Sequence, residues 1–316
     1  MVKQRLIVIL GPTAVGKTSL SVKLAKILQT EIVSGDSMLV YRGFDIGSAK
    51  PTMEERQGIP HHLIDIREPW EHYNVTDFKK EAERLIFEIN EKGKIPLLVG
   101  GTGLYAKSLL EGYQFNETAG NKTYREHLQN LAETHGKAYV HAMLEKIDAE
   151  SAARLHENDF RRVIRAIEVA ELGGERISQE KKIACQDEMV YDAYVIGLRR
   201  ERQQLYERIN LRVDLMMQHG LLEEVRTLLH RGITREMQAM KGIGYKEMAA
   251  ALLGEISIQE AVEFIQKSTR HFAKRQFTWY RKMPYIHWYD VDHMSEDDVF
   301  LKILDDIACY FHDDKN

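Results

Sequence analysis

The stretch Gly11-Pro12-Thr13-Ala14-Val15-Gly16-Lys17-Thr18 follows directly on the apolar run Arg5–Leu10 and opens a segment of helical character, Thr18–Leu28. This is the spacing G-x-x-x-x-G-K-[ST], placed between a buried strand and a helix, the context that gives it meaning. Its glycines let the backbone wrap an anion with N–H groups pointing inward, and the helix N-terminus adds its positive dipole end. Lys17 is the candidate for holding phosphate charge, and the Thr18 hydroxyl is the candidate ligand for Mg²⁺. The motif commits the chain to an α/β fold with a phosphate loop beyond the carboxyl end of a strand. Read alone, it specifies a diphosphate or triphosphate without saying which.

The rest of the first third agrees. Glu31–Val33, His62–Ile66 and Ile95–Val99 read as further strands, and Asp77–Glu91 as a helix with Phe78, Ala82, Leu85, Ile86 and Ile89 on one side. Strands alternating with helices imply βαβ units and a mostly parallel sheet covered on both faces. After Gly112 the pattern changes: from about Asn116 to Asp187 the chain is helical and charged, with no convincing strand. Tyr194–Leu198 returns to the sheet, Arg202–Pro284 is helical with glycine breaks, and Tyr285–Val291 adds a late edge. The expected architecture is therefore a P-loop NTPase-like α/β core, residues 1–115 and 190–316, carrying a helical insertion domain over 116–189.

Composition matters at one point. The formal net charge is −4, whereas a nucleic-acid binder usually carries a basic excess, so any nucleic-acid contact would have to use local basic stripes. Cys185 and Cys309 form no C-x-x-C pair, which argues against a cysteine-held zinc or iron–sulfur site and for free thiols in a reducing compartment. The apolar run at the N-terminus is too short to span a membrane and lacks a signal-peptide pattern, so a cytoplasmic protein without a membrane partner is expected. The adjacent His61 and His62 point to opposite faces of a strand and read as structural.

Two residues stand beyond other strand ends. Asp36 follows Glu31–Val33 and is open to a second reading as a turn-former or helix cap. Thr102 follows Ile95–Val99 and is open to a second reading as a cap on the helix beginning near Leu104. The strand Ile95–Val99 ends in Gly100-Gly101-Thr102-Gly103, without the acid an ATP-driven motor needs, while a small kinase remains compatible.

At this point the order of motifs resembles one family, the tRNA dimethylallyltransferases (tRNA isopentenyltransferases) of bacterial type. The matching stretches are Gly11–Thr18, Gly35–Tyr41, Asp45–Pro51, Gly58–Asp65, Val99–Tyr105, Asn158–Val169, Leu205–Asp214, Ile243–Glu247 and Thr269–Arg281. Only the first is widespread among unrelated proteins, and the set covers the chain to about residue 290. The resemblance implies transfer of a prenyl group from dimethylallyl diphosphate to N6 of the adenosine immediately 3′ of the anticodon, giving N6-isopentenyladenosine. It implies that the phosphate loop grips the donor's diphosphate, with Mg²⁺ as cofactor, although such loops are commonly described as ATP-binding.

By position in the family motifs, Asp36 is the base that takes the N6 proton, and Thr102 is a substrate-contacting hydroxyl. Arg208 is the arginine that reaches the diphosphate, with Arg212 one turn further as its competitor. Ser37, Met38 and Leu39, beside Asp36, fall in a tRNA-contacting segment. Arg125 falls on a further contact, on a looser match.

A base cannot be prenylated at N6 while stacked, so it must be extruded into the site. Arginine and lysine would hold the RNA backbone. In Asn158–Val169, Phe160, Val163, Ile164 and Ile167 mark a buried face, leaving Arg161, Arg162 and Arg165 outward. In Lys267–Arg281, Lys267, Arg270, Lys274 and Arg281 fall within roughly 60° on a helical wheel. The Gly-flexed loop Lys241-Gly242-Ile243-Gly244-Tyr245-Lys246 takes an RNA-contact role from its family position. Each stripe also reads as an ordinary solvated face. The rival functions are a small-molecule kinase, an adenylate isopentenyltransferase acting on free AMP or ADP, and an RNA-binding protein with a vestigial loop. A monomer binding the anticodon arm of tRNA is the expectation.

Overall fold

The computed structural model describes residues 3–115, 120–173, 177–178 and 189–312. Cys185 lies outside them, and Cys309 is an exposed free thiol. The chain forms two compact units, residues 1–110 with 190–316, and residues 111–189.

The first unit contains β1 (Arg5–Leu10), α1 (Lys17–Ile27), β2 (Ile32–Ser34), α2 (Met53–Arg56), β3 (His61–His62), α3 (Val75–Glu91), β4 (Leu97–Gly100) and α4 (Gly103–Leu110). After the second unit it continues with β5 (Asp192–Arg199) and four helices at Arg202–Gln218, Leu221–His230, Tyr245–Leu252 and Ile258–Tyr280. It ends with β6 (Ile286–Asp290) and a helix at Glu296–His312. The strands make one sheet in the order β3-β2-β4-β1-β5-β6, and every pairing is parallel. β1 lies between β4 and β5, and Leu6, Ile7, Val8 and Ile9 are fully buried, as a strand covered on both faces requires.

Local chemistry explains the boundaries. Asn74 caps α3 by accepting from the Thr76 and Asp77 amides, and Asp77 returns the bond to the Asn74 amide. Phe78, Ala82, Leu85, Ile86 and Ile89 bury the face that the 3.6-residue period assigns to the sheet. The spacing predicts a strand over His62–Ile66, but pairing with β2 ends at His62. Leu63 and Asp65 take φ of 60° and 55°, which turns the chain off the sheet. There the Asp65, Ile66 and Arg67 amides bond to the Leu39 and Val40 carbonyls, and the Asp65 carboxylate meets the buried Lys50 ammonium. His61 and His62 serve locally, at the Ile59 carbonyl and the Glu31 carboxylate.

The second unit is helical, with α5 (Lys122–His135), α6 (Lys137–Ile147), α7 (Ala149–Arg154) and α8 (Phe160–Leu172). With those four counted, the later helices are α9 (Arg202–Gln218), α10 (Leu221–His230), α11 (Tyr245–Leu252), α12 (Ile258–Tyr280) and α13 (Glu296–His312). Leu128, Val140, Leu144, Val163 and Ile167 form the unit's own core. Glu168 sits fully buried at its edge. Its carboxylate accepts from Arg125 Nε and Nη2 at 2.8 Å each, from Arg165 Nη1 at 2.7 Å and from the Asn121 amide at 2.7 Å. Burial alone would raise this carboxyl, but the two guanidinium groups more than offset that and hold it below the usual range.

Candidate active site

The sheet order places the carboxyl ends of β2, β4 and β1 side by side. Register then levels them: Leu10 pairs with Gly100, and Ser34 with Val99. The loops that follow therefore start abreast, at Gly11, Gly101 and Gly35, within about 10 Å across two strand spacings. Close approach demands glycine here, because a Cβ on Gly100 would stand 2.4 Å from the Gly35 carbonyl oxygen. Phosphate loop, Thr102 and Asp36 thus stand side by side beyond the carboxyl ends of three neighbouring strands, the end at which open parallel sheets bind ligands.

In the phosphate loop Gly16 takes φ 114°, and no side chain caps the first turn of α1. No acidic residue stands in that turn either. The opening amides of α1 are left for an anion, with the dipole behind them. Lys17 folds back, and its ammonium donates to the Gly11 and Pro12 carbonyls at 2.9 Å each. Thr18 is half-buried, and its hydroxyl bonds to no described residue. Among the described residues no three His, Cys, Asp or Glu side chains converge as a metal cluster. A Mg²⁺ that keeps waters and shares a substrate's phosphate oxygens needs only one or two protein oxygens, so the Thr18 hydroxyl suits it.

Asp36 makes the turn of its second reading with one oxygen and leaves the other unbonded. Its Oδ1 accepts from the Met38 amide at 2.8 Å, an Asx turn, while Oδ2 has no donor among the described residues. Thr102 caps α4 only through its backbone carbonyl, which accepts from the Tyr105 and Ala106 amides. Its half-buried hydroxyl makes no bond to the described residues. One carboxylate oxygen and one hydroxyl are therefore uncommitted beside the phosphate loop.

Both arginines of α9 reach that loop, differently. Arg208 is exposed and donates from Nε to the Ala14 carbonyl at 3.0 Å. Arg212 lies deeper, and its Nη1 donates to the Thr13 hydroxyl at 3.3 Å. Burial pushes Arg212 below the usual guanidinium range, though it remains charged. Lys17 and Arg212 share their space, and Asp36 partly balances them.

Opposite them, α12 presents two side chains that no motif reading had singled out. Gln276 accepts from the Thr13 amide at 3.0 Å and donates to the Gly101 carbonyl at 2.8 Å. The Tyr280 hydroxyl stands 3.1 Å from both the Gly11 and the Gly101 carbonyl oxygens. The signal available in sequence was a glutamine at helical spacing between Ala273 and Tyr280, a polar group on a face that must be buried.

The basic positions separate into exposed ones, of which Arg162 lies 3.9 Å from Asp159 and Lys246 3.6 Å from Glu247, and ones held by internal hydrogen bonds. Arg161, Arg162, Lys241, Lys246, Lys267 and Lys274 are exposed. Arg270 donates to Asn210 at 2.6 Å, and Arg125 and Arg165 are held by Glu168. In Lys241–Lys246 the aromatic residue faces inward: Tyr245 is fully buried, donating to Glu224 at 2.7 Å. Gly242 leaves room for Met38, whose Cε would lie 2.6 Å from a Cβ there. The Lys241–Lys246 segment and the segment after Asp36 thus pack as one piece.

Charge crowding gives the loop a pH dependence. Burial, helped by Arg212 and opposed by Asp36, pulls Lys17 from 10.5 down to about 8. A bound phosphate favours the charged form, so affinity for inorganic diphosphate should fall as pH rises through about 8, by up to tenfold per unit. Stability runs the other way: the unfolded chain keeps that proton up to 10.5, so folding gains as pH rises between about 8 and 10.5. Titrating diphosphate binding from about pH 7 to about pH 10 against a Lys17→Met control checks this, because the control lacks the ionising group.

A family model described as IPP transferase matches residues 39–283. Relatives named tRNA dimethylallyltransferase from Bacillus mycoides (strain KBAB4) and Bacillus anthracis are 47% identical over 303 and 305 residues. Those matches cover 96% of this chain and 95% and 96% of the relatives. The crystal structure of tRNA isopentenylpyrophosphate transferase from Bacillus halodurans superposes with a TM-score of 0.75 at 43% identity, covering 98% of both chains. A eukaryotic dimethylallyltransferase crystallised acting on tRNA reaches a TM-score of 0.85 at 29% identity, over 99% of this chain and 80% of that one. With its parallel sheet, phosphate loop and uncommitted carboxylate in place, the chain belongs to the IPP transferase family.

Proposed function

We propose that this protein is a tRNA dimethylallyltransferase, moving a dimethylallyl group from dimethylallyl diphosphate to N6 of the adenosine immediately 3′ of the anticodon and releasing diphosphate. One observation carries the residue assignment: Oδ2 of Asp36 and the hydroxyl of Thr102 stand uncommitted at the two strand ends on one side of the phosphate loop.

The exocyclic nitrogen is a poor nucleophile, because its lone pair is delocalised into the ring. Asp36 accepts the N6 proton as the N6–carbon bond forms and the allylic carbon–oxygen bond breaks. Negative charge grows on the departing diphosphate, and the Gly11–Thr18 amides, Lys17 and Arg212 stabilise it where it develops. Arg212 takes precedence over Arg208 in this role because it is the deeper of the two, beside Thr13. The Thr102 hydroxyl, one strand over, orients the donor. Mg²⁺, held at Thr18, would supply further charge neutralisation on the leaving group.

For the RNA, Lys241, Lys246, Lys267, Arg270 and Lys274 of the first unit and, each unit by itself, Arg161 and Arg162 of the second are the candidate phosphate contacts for the anticodon arm. Arg125 and Arg165 contribute through their shared Glu168, and Tyr245 supports the lysine segment from inside. Among the described residues no helix is long and apolar enough to cross a membrane. We take the enzyme to act on tRNA in the cytoplasm, and as a monomer, since every residue we assign to the reaction lies on one chain.

Incubation with dimethylallyl diphosphate and unmodified tRNA should give an anticodon-loop fragment heavier by one dimethylallyl group in place of hydrogen, read by mass spectrometry. Transfer of label from γ-labelled ATP to an acceptor would establish the kinase instead. Prenylation of free AMP or ADP in preference to tRNA would establish the nucleotide enzyme.

A further inference from the structure

Two loops that meet the donor from different strands have to keep a fixed spacing, and the backbone alone does not hold it. The Gly11–Thr18 loop leaves β1, the Gly101–Thr102 turn leaves β4, and beyond Gly100 the ladder between those strands has ended. What spans the gap is α12. Gln276 is 3% exposed, and its amide faces both loops at once, accepting from Thr13 and donating to Gly101. Tyr280, one helical turn on and fully buried, places its hydroxyl between the Gly11 and Gly101 carbonyls. Its single proton serves one of them at a time. The fit is close: a Cβ on Gly101 would stand 2.4 Å from Gln276 Nε2.

From this geometry we propose that Gln276 and Tyr280 are positioning residues that set the spacing between the diphosphate-gripping loop and the Thr102 turn, and so the affinity of the donor. The proposal rests on the reading of Gly11–Thr18 as the diphosphate grip. Both side chains are too deeply buried to meet substrate themselves; they act through the backbone groups of Thr13, Gly11 and Gly101. The peptide units they pin are neighbours of the groups that work. Thr13 carries the hydroxyl that Arg212 holds, and Gly101 immediately precedes Thr102. α12 also carries Lys267 and Lys274, so the element we assign to the RNA is the one that spaces the donor loops.

The amide of Gln276 is a donor and an acceptor in fixed relation, which makes its replacements diagnostic. Gln276→Met keeps length and removes both bonds. Gln276→Glu keeps the acceptor for the Thr13 amide, but as a carboxylate it has no proton for the Gly101 carbonyl. A protonated carboxyl again has one donor and one acceptor, and burial raises the pH at which that form persists. Tyr280→Phe removes only the hydroxyl.

Measured on the full chain with Mg²⁺, Gln276→Met and Tyr280→Phe should each raise the Kd for inorganic diphosphate and the KM for dimethylallyl diphosphate about five- to tenfold, the usual reach of one or two lost hydrogen bonds. The Kd for tRNA should stay within about twofold, and the double variant should lose less than the product of the singles, because both residues share the Gly101 carbonyl. For Gln276→Glu, the Kd for inorganic diphosphate relative to wild type should recover as pH falls, a signature that loss of stability alone does not produce. Lys17→Ala serves as the reference. Unchanged Kd and KM in both single variants, with Lys17→Ala having lost diphosphate binding, overturns the spacing role by itself. Undiminished diphosphate binding by Lys17→Ala overturns the loop's assignment and the spacing role together.

Discussion

Asp36→Ala should lower kcat for prenyl transfer by about a thousandfold, within the range of about 10²–10⁴ that a positioned proton acceptor contributes. The Kd for tRNA should stay within about threefold. That margin on tRNA covers the lost Met38 bond, because alanine removes both oxygens of Asp36. Oδ1 holds the Met38 amide and so shapes the turn, while Oδ2 is the atom assigned to N6. Asp36→Asn sharpens the result. An asparagine keeps an oxygen for Met38 but presents an NH₂ where the proton must be accepted, so the turn survives and the chemistry does not. Single-turnover rates with saturating tRNA and donor measure this directly, and an Asp36→Asn rate within tenfold of wild type would remove Asp36 as the base.

Lys17→Ala should lower kcat/KM for dimethylallyl diphosphate by about 10²–10³, the cost of losing one preorganised group aimed at developing charge. The variant should also melt higher than wild type. In the free protein Lys17 is a desolvated cation close to Arg212, and its own bonds go only to two loop carbonyls. Removing it relieves that repulsion, so activity and stability move in opposite directions, as at other sites where function is held at the expense of stability. Thermal unfolding run beside the kinetic assay tests both halves. A lower melting temperature with unchanged kcat/KM would mean that Lys17 is a structural residue.

Much of this was legible in the sequence, and what was not has identifiable reasons. β1 and β5 announce themselves as buried strands, because a parallel strand covered on both faces reads as an unbroken apolar run. α3 declares itself by period and cap. The segment after His62 was misread as strand because hydrophobic spacing says nothing about φ, and Leu63 and Asp65 adopt values that only local bonding rewards. At the site, the phosphate loop is legible from its motif between strand and helix, whereas Asp36 and Thr102, each after a strand, read equally as turn or cap until the family resemblance gives them a role.

The division of labour between Arg208 and Arg212 was not readable. They are one helical turn apart on the same face, and only the docking of α9 on the phosphate loop decides which lies deeper. Gln276 and Glu168 were hidden for a different reason. A polar residue within a charged helix reads as surface, and its burial depends on partners that are distant in sequence, Thr13 and Gly101 for one, Arg125 for the other. Tyr245 was ambiguous in the same way, its inward turn being set by Glu224 on another helix.

The place of β1 in the sheet bears on the order in which a growing chain can acquire its site. One neighbour, β4, ends at Gly100, whereas the other, β5, begins at Asp192, after the whole helical unit has been made. A ribosome-bound chain halted before that point has the complete phosphate-loop sequence but leaves β1 an open edge, with no α9 or α12 to brace the loop. Pairing over such a separation is slow, because the loop-closure entropy must be met before any contact rewards it. The anion cradle should thus be among the last parts of the core to take shape, and a chain ending before Asp192 should show no affinity for diphosphate.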